Sequence, residues 1–134
     1  DVNAVIHTHP VWSTVFGVIR EPLPAVSEDF AQIVGSEVHF CKSYELPGTP
    51  ELGKVAVEAL GMNNAVLLPN HGALSVGPTM ETTIKVGLVL EKNAQIYIFS
   101  RLLGKPHLFT PEDIEAMQNF ARNHYGKKNR QLAE

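Results

Sequence analysis

Apolar residues in this chain fall into two kinds of run: short continuous ones, and longer ones at helical spacing. Their alternation sets the expected order of elements. Val2-Asn3-Ala4-Val5-Ile6 leads into His7 and reads as a strand over residues 2–7. Pro10 then sets up a helix through Trp12, Val15, Phe16 and Ile19, proline being tolerated in the first turn. Glu21-Pro22-Leu23-Pro24 breaks it. Phe30, Ile33 and Val34 give a short helix ending at Gly35, and Glu37–Cys41 is rich in β-formers. After the loop Leu46-Pro47-Gly48-Thr49-Pro50, Thr49 caps a helix over 50–60 that Gly61 stops. Asn63–Leu68 is a second strong strand, Asn70-His71-Gly72 a turn, and Ala73–Val76 a short strand closed by Gly77-Pro78. Thr79 opens the longest helix, to about Leu103. It carries one stripe of Ile84, Leu88, Glu91, Gln95 and Ile98 and a second apolar side of Val86, Val89, Leu90, Ala94 and Tyr97, so it is expected to pack on a sheet and also on another helix or subunit. Thr110-Pro111-Glu112-Asp113 starts a last helix through Ile114, Met117 and Phe120 to about His124. The tail from Lys127 reads as solvated.

Strands alternating with helices give an α/β domain with helices covering a sheet. The pattern leaves strand direction open. The 134 residues suit one domain with a core of its own, and 44% hydrophobic with 19% charged residues is ordinary globular composition. A formal charge of −3 with interspersed signs argues against a nucleic-acid partner. No apolar stretch approaches the roughly 18 residues a membrane span needs. The one cysteine, Cys41, excludes a disulfide within the chain, fits a cytoplasmic protein, and reads as a small buried residue rather than a nucleophile.

Histidines carry the candidate chemistry. His7 and His9 end the first apolar run, and residues i and i+2 of a strand point to the same face. His71 follows a second apolar run, where α/β enzymes place their chemistry. Gly72 is expected to let the backbone turn sharply beside it. Two imidazoles from one strand end and a third from another would give three ligands and an open position, the usual arrangement of a catalytic zinc. His39, His107 and His124 lack this context and are expected to stay out of the site.

Taken in order, several blocks resemble the class II aldolase/adducin family, its fuculose-phosphate aldolase-type members in particular. They are Asp1-Val2-Asn3-Ala4-Val5-Ile6-His7-Thr8-His9-Pro10, Leu23-Pro24-Ala25-Val26, Gly48-Thr49-Pro50-Glu51-Leu52, Leu67-Leu68-Pro69-Asn70-His71-Gly72 and Leu90-Glu91-Lys92-Asn93-Ala94. The resemblance covers essentially the whole chain. It implies a three-layer α/β/α sandwich around a mixed or largely antiparallel sheet. It also implies a homotetramer with active sites between subunits, and His7, His9 and His71 as ligands of zinc or another divalent ion. The implied activity is that of a metal-dependent lyase cleaving a small phosphorylated ketose. Breaking a C–C bond beside a carbonyl leaves an enediolate, whose charge a divalent Lewis acid stabilises. A sugar-phosphate epimerase, dehydratase or decarboxylase of the same family is the alternative among enzymes. A non-catalytic adducin-like interaction domain is the alternative of another class; such domains tend to lose the three histidines that this chain keeps.

Proton transfer needs a further group. In the family's catalytic members a glutamate upstream of the His-x-His segment serves as acid/base, and the phosphate-binding residues also lie upstream. The resemblance therefore implies that residues 1–134 are the C-terminal portion of a single such domain, with about 70–90 residues before them. Where the fuculose-phosphate branch has a catalytic tyrosine, just beyond the matching Pro-Ala, this chain has Ser27-Glu28-Asp29. Glu28 is one candidate for the missing role, or else an acid at a helix start. Tyr125 matches a tyrosine that reaches the neighbouring active site in that branch, or else belongs to a fraying tail.

Overall fold

Every residue from Ala65 to Leu68 is buried, which a strand achieves only when both faces of its sheet are covered. Ala65 and Leu67 pack with Phe16, Phe30, Val86, Leu90 and Ala94; Val66 and Leu68 pack with Cys41, Val55 and Ala56. Alternate residues of a strand face opposite ways. These two clusters therefore lie on opposite sides of the sheet.

The structure is a computed structural model describing residues 2–124. Strand β1 (Ala4–Thr8) is followed by helix α1 (Val11–Ile19), strand β2 (Leu23–Pro24), helix α2 (Glu28–Ile33), strand β3 (Glu37–Val38) and helix α3 (Pro50–Leu60). Strands β4 (Ala65–Leu68) and β5 (Gly72–Gly77) and helices α4 (Met80–Leu103) and α5 (Pro111–Asn123) complete it. The main sheet has the order β1-β5-β4, antiparallel throughout, and β2 pairs antiparallel with β3. One parallel bridge joins Phe40 to Leu67. Helices α1, α2 and α4 cover one face and α3 the other, so the fold is the expected three-layer α/β/α arrangement with a largely antiparallel sheet. None of the described helices is long and apolar enough to cross a membrane.

Helix starts follow their capping residues. Thr49 accepts Leu52 N–H at 3.4 Å and Thr79 accepts Thr82 N–H at 3.1 Å. At α5, Thr110 Oγ1 accepts Asp113 N–H at 3.2 Å while the Asp113 carboxylate accepts Thr110 N–H at 3.2 Å, a reciprocal capping box. Thr110→Ala is expected to lower stability by about 1 kcal/mol, read as a lower urea midpoint with unchanged slope.

Two features differ from the sequence reading. Leu23-Pro24 is a short strand as well as a helix break; proline is tolerated there because β2 has one partner only. The β-rich stretch from Glu37 pairs as a strand over two residues only. On α4, Val86, Leu90 and Ala94 are buried against the sheet and its neighbouring helices, as expected, and Ile84 and Leu88 are exposed in the single chain.

The middle of α4 also fastens the loops around it. Asn93 is fully buried; its Oδ1 accepts Val26 N–H at 3.0 Å and Ser27 Oγ–H at 3.1 Å, and its Nδ2 donates to Pro24 O at 2.9 Å. Lys92 pairs with Asp29 beside it.

Candidate metal centre

β1 and β5 bring the histidine segments together. In their register His7 lies opposite Leu74 and Thr8 opposite Ala73, so the His7–His9 end of β1 meets the start of β5, where His71 stands. β4 and β5 form a hairpin closed by His71 N–H to Leu68 O at 3.1 Å. Pro69 and Asn70 hold the central positions of that turn, and Asn70 takes φ +54°, a conformation asparagine tolerates better than most residues.

Asn70, not Gly72, is thus the left-handed residue of the turn, and Gly72 is required for another reason. A Cβ on Gly72 would lie 2.2 Å from Thr8 O and 3.0 Å from His9 Cδ2. The bare backbone of Gly72 is what lets β1 close on β5 beside the histidines.

His7 Nε2 lies 2.9 Å from His9 Nε2 and 3.2 Å from His71 Nε2. One ring nitrogen from each of the three lies within 4.8 Å of the others. His7 Nδ1 faces Ala73 O at 3.0 Å. A carbonyl only accepts, so Nδ1 carries the proton of the neutral ring and the Nε2 lone pair is left toward the cluster. Backbone carbonyls commonly orient ligating histidines in this way. Removal from solvent, together with its His7 and His9 neighbours, holds the His71 imidazolium pKa below its ordinary value, which favours the neutral ring. His71 Nδ1 is buried with no hydrogen-bond partner among the described residues.

Ring nitrogens about 2.0–2.1 Å from a tetrahedral ion stand about 3.3 Å apart. The 2.9 and 3.2 Å separations here are close to that spacing, so the three rings could hold a divalent ion with little adjustment. They open on a cleft of about 450 Å³ on the α3 side of the sheet, walled by Pro47, Gly48, Leu52, Leu68 and Leu74.

The remaining candidates lie elsewhere. Glu28 sits exposed at the start of α2, accepting from Gln32 Nε2 at 2.9 Å, and does not line the cleft. Tyr125 falls outside the described residues. His39 lies 3.8 Å from Glu37, and His124 stacks on Phe120 with ring centres 5.8 Å apart. Among the described residues, His7, His9 and His71 alone form a group of metal-ligating type. Cys41 is buried, which pushes its thiol pKa up and leaves it a poor nucleophile. Sequence reasoning missed the apolar wall of the cleft, whose residues come from α3, β4, β5 and the loop before α3.

Proteins similar to this chain include sugar-phosphate aldolases. The chain is 36% identical over 126 residues to a 5-deoxy-D-ribulose 1-phosphate aldolase of Bacillus thuringiensis, covering 94% of this chain and 57% of that one. It is 31% identical over 115 residues to a 5-methylthioribulose-1-phosphate/5-deoxyribulose-1-phosphate aldolase of Rhodospirillum rubrum, covering 86% and 52%. A solved L-fuculose 1-phosphate aldolase superposes with a TM-score of 0.86 at 33% identity, over 91% of this chain and 57% of that chain. The chain thus spans about half the length of the curated relatives it matches. Residues 1–98, which carry His7, His9 and His71, match the class II aldolase and adducin N-terminal domain, and the chain belongs to that family.

Proposed function

We propose that this chain forms the metal-binding half of a class II aldolase, a lyase that cleaves a small phosphorylated ketose. The observation that carries this reading is the convergence of three Nε2 atoms from two separate segments on one point, with the His7 tautomer set by Ala73 O. His7, His9 and His71 would hold zinc or another divalent ion. Such an ion supplies Lewis-acid stabilisation of the charge that develops beside a carbonyl as a C–C bond breaks. Neutral imidazoles suit this because they bring no negative charge to offset that of the cation. Pro47, Leu52, Leu68 and Leu74 exclude water from one side of the site, which strengthens electrostatic interactions there. The acid/base role falls, in our reading, to the glutamate that the family resemblance implies upstream of the His-x-His segment. The exposed Ile84 and Leu88 on α4 support an oligomer, in our reading a tetramer with shared active sites. A cytoplasmic location belongs to the same proposal.

The apolar wall favours a ketose 1-phosphate whose far end lacks a hydroxyl, the substrate type named for the Bacillus and Rhodospirillum relatives. A hydroxyl buried there without a partner costs about 1–3 kcal/mol. The natural full-length protein is therefore expected to release aldehyde from 5-deoxyribulose 1-phosphate with kcat/KM about 10-fold or more above that for ribulose 1-phosphate. Dialysis against a chelator should abolish the activity, and zinc should restore it. Epimerised or decarboxylated product without aldehyde release would overturn the lyase reading and leave the metal centre standing.

A further inference from the structure

The helix between the two histidine segments is fastened at both ends by residues outside the ligand set. α1 begins two residues after His9, and its N-cap, Pro10, makes no side-chain capping bond. The first N–H groups of a helix need acceptors from elsewhere. Glu91 on α4 supplies them: its carboxylate accepts Trp12 N–H at 2.7 Å, Ser13 N–H at 2.9 Å and the Ser13 hydroxyl at 2.9 Å. Ser13 is fully buried, so no water substitutes there. Midway, α1 presses on the end of β4; a Cβ on Gly17 would lie 3.2 Å from Leu68 O. At the far end Arg20 donates from Nη2 to Asn70 Oδ1 at 2.7 Å, and Asn70 precedes His71. One short helix therefore runs from beside His9 to beside His71.

We propose that Glu91 is a positioning residue for the histidine centre. It acts through α1, and Arg20 ties the other end of that helix to the His71 turn. The proposal rests on reading the cluster as a metal centre. Pairing of β1 with β5 sets the histidine segments side by side, but His9 and His71 both lie beyond the paired residues of the sheet. Their separation then depends on how α1 is seated as well as on the hairpin turn and the Gly72 contact. A carboxylate is suited to the α1 start because it offers two oxygens and a negative charge to free N–H groups at the positive end of the helix. Glutamine has one oxygen, and its amide nitrogen would face a donor.

The test is Glu91→Gln in the natural full-length protein, with Thr110→Ala as a capping change remote from the histidines. The affinity for Zn2+ is measured by chelator competition, and folding by far-UV circular dichroism. The expected result is a 10-fold or greater loss of Zn2+ affinity in E91Q, within the roughly 10–100-fold range for groups that orient metal ligands, with T110A unchanged. In the metal-free protein, ring-nitrogen NMR signals of His7 and His9 should shift in E91Q and not in T110A. Wild-type affinity in a folded E91Q, or equal losses in E91Q and T110A, would overturn the positioning role. Should E91Q fail to fold, Arg20→Met severs the tie to Asn70 and decides the matter: several-fold weaker binding supports the proposal and wild-type affinity overturns it. A wild-type protein that takes up no ion would overturn the metal reading, and the positioning role with it.

Discussion

His7→Ala is expected to empty the metal site and to lower retro-aldol turnover by about 10³-fold or more, since charge stabilisation by a metal ion contributes several kcal/mol. His7 is the hub of the cluster: both close Nε2 contacts, at 2.9 and 3.2 Å, are its own. Without it, His9 and His71 remain as two ligands with no ring between them, and His71 Nδ1 still lacks a partner among the described residues. The His7 ring is largely solvent-facing, so its loss leaves no cavity in either core cluster. The circular dichroism spectrum should match that of the metal-free wild type. His39→Ala, which removes only an exposed ring 3.8 Å from Glu37, should change neither metal content nor rate. A His7→Ala protein that lacks the ion yet keeps wild-type turnover would end the metal-dependent reading.

Gly72→Ala is expected to lower stability by about 2–3 kcal/mol, seen as a fall of about 10 °C in Tm, and to weaken metal binding as well. The added methyl would sit 2.2 Å from Thr8 O, a backbone atom in the paired register, so β1 must move away from β5 to admit it. The same methyl meets His9 Cδ2 at 3.0 Å, so that movement carries a ligand with it. The comparison is Gly53→Ala on α3, where a new Cβ meets nothing within 4 Å. That change should be neutral or stabilise by up to about 1 kcal/mol. Equal behaviour of the two variants would show that β1 and β5 are not closely apposed at Gly72.

What the sequence disclosed and what it withheld have physical causes. The helix starts at Thr49, Thr79 and Thr110 were legible because capping is local: a side chain within three residues does the work. The histidine trio was legible because two apolar runs end in imidazoles. Strand direction was not read, although a turn as short as Pro69-Asn70-His71 can only join antiparallel neighbours. The β2–β3 pair escaped notice because Pro24 masks a strand that needs pairing on one edge only. Gly72 was seen as important for the wrong reason: its role lies in contact with Thr8, 64 positions away, and Asn70 takes the positive φ. Glu91 and Asn93 stood in view among the other polar residues of α4. Their partners, Trp12 and Ser13 for one and the Pro24–Ser27 loop for the other, are set by tertiary packing that no periodicity encodes.

X-ray absorption of the purified protein at the edge of its bound metal tests the central claim most directly. The account predicts one divalent ion per chain, with three imidazole nitrogens at about 2.0–2.1 Å and their characteristic outer-shell scattering. Substoichiometric metal, or an ion surrounded by oxygen alone, would contradict it.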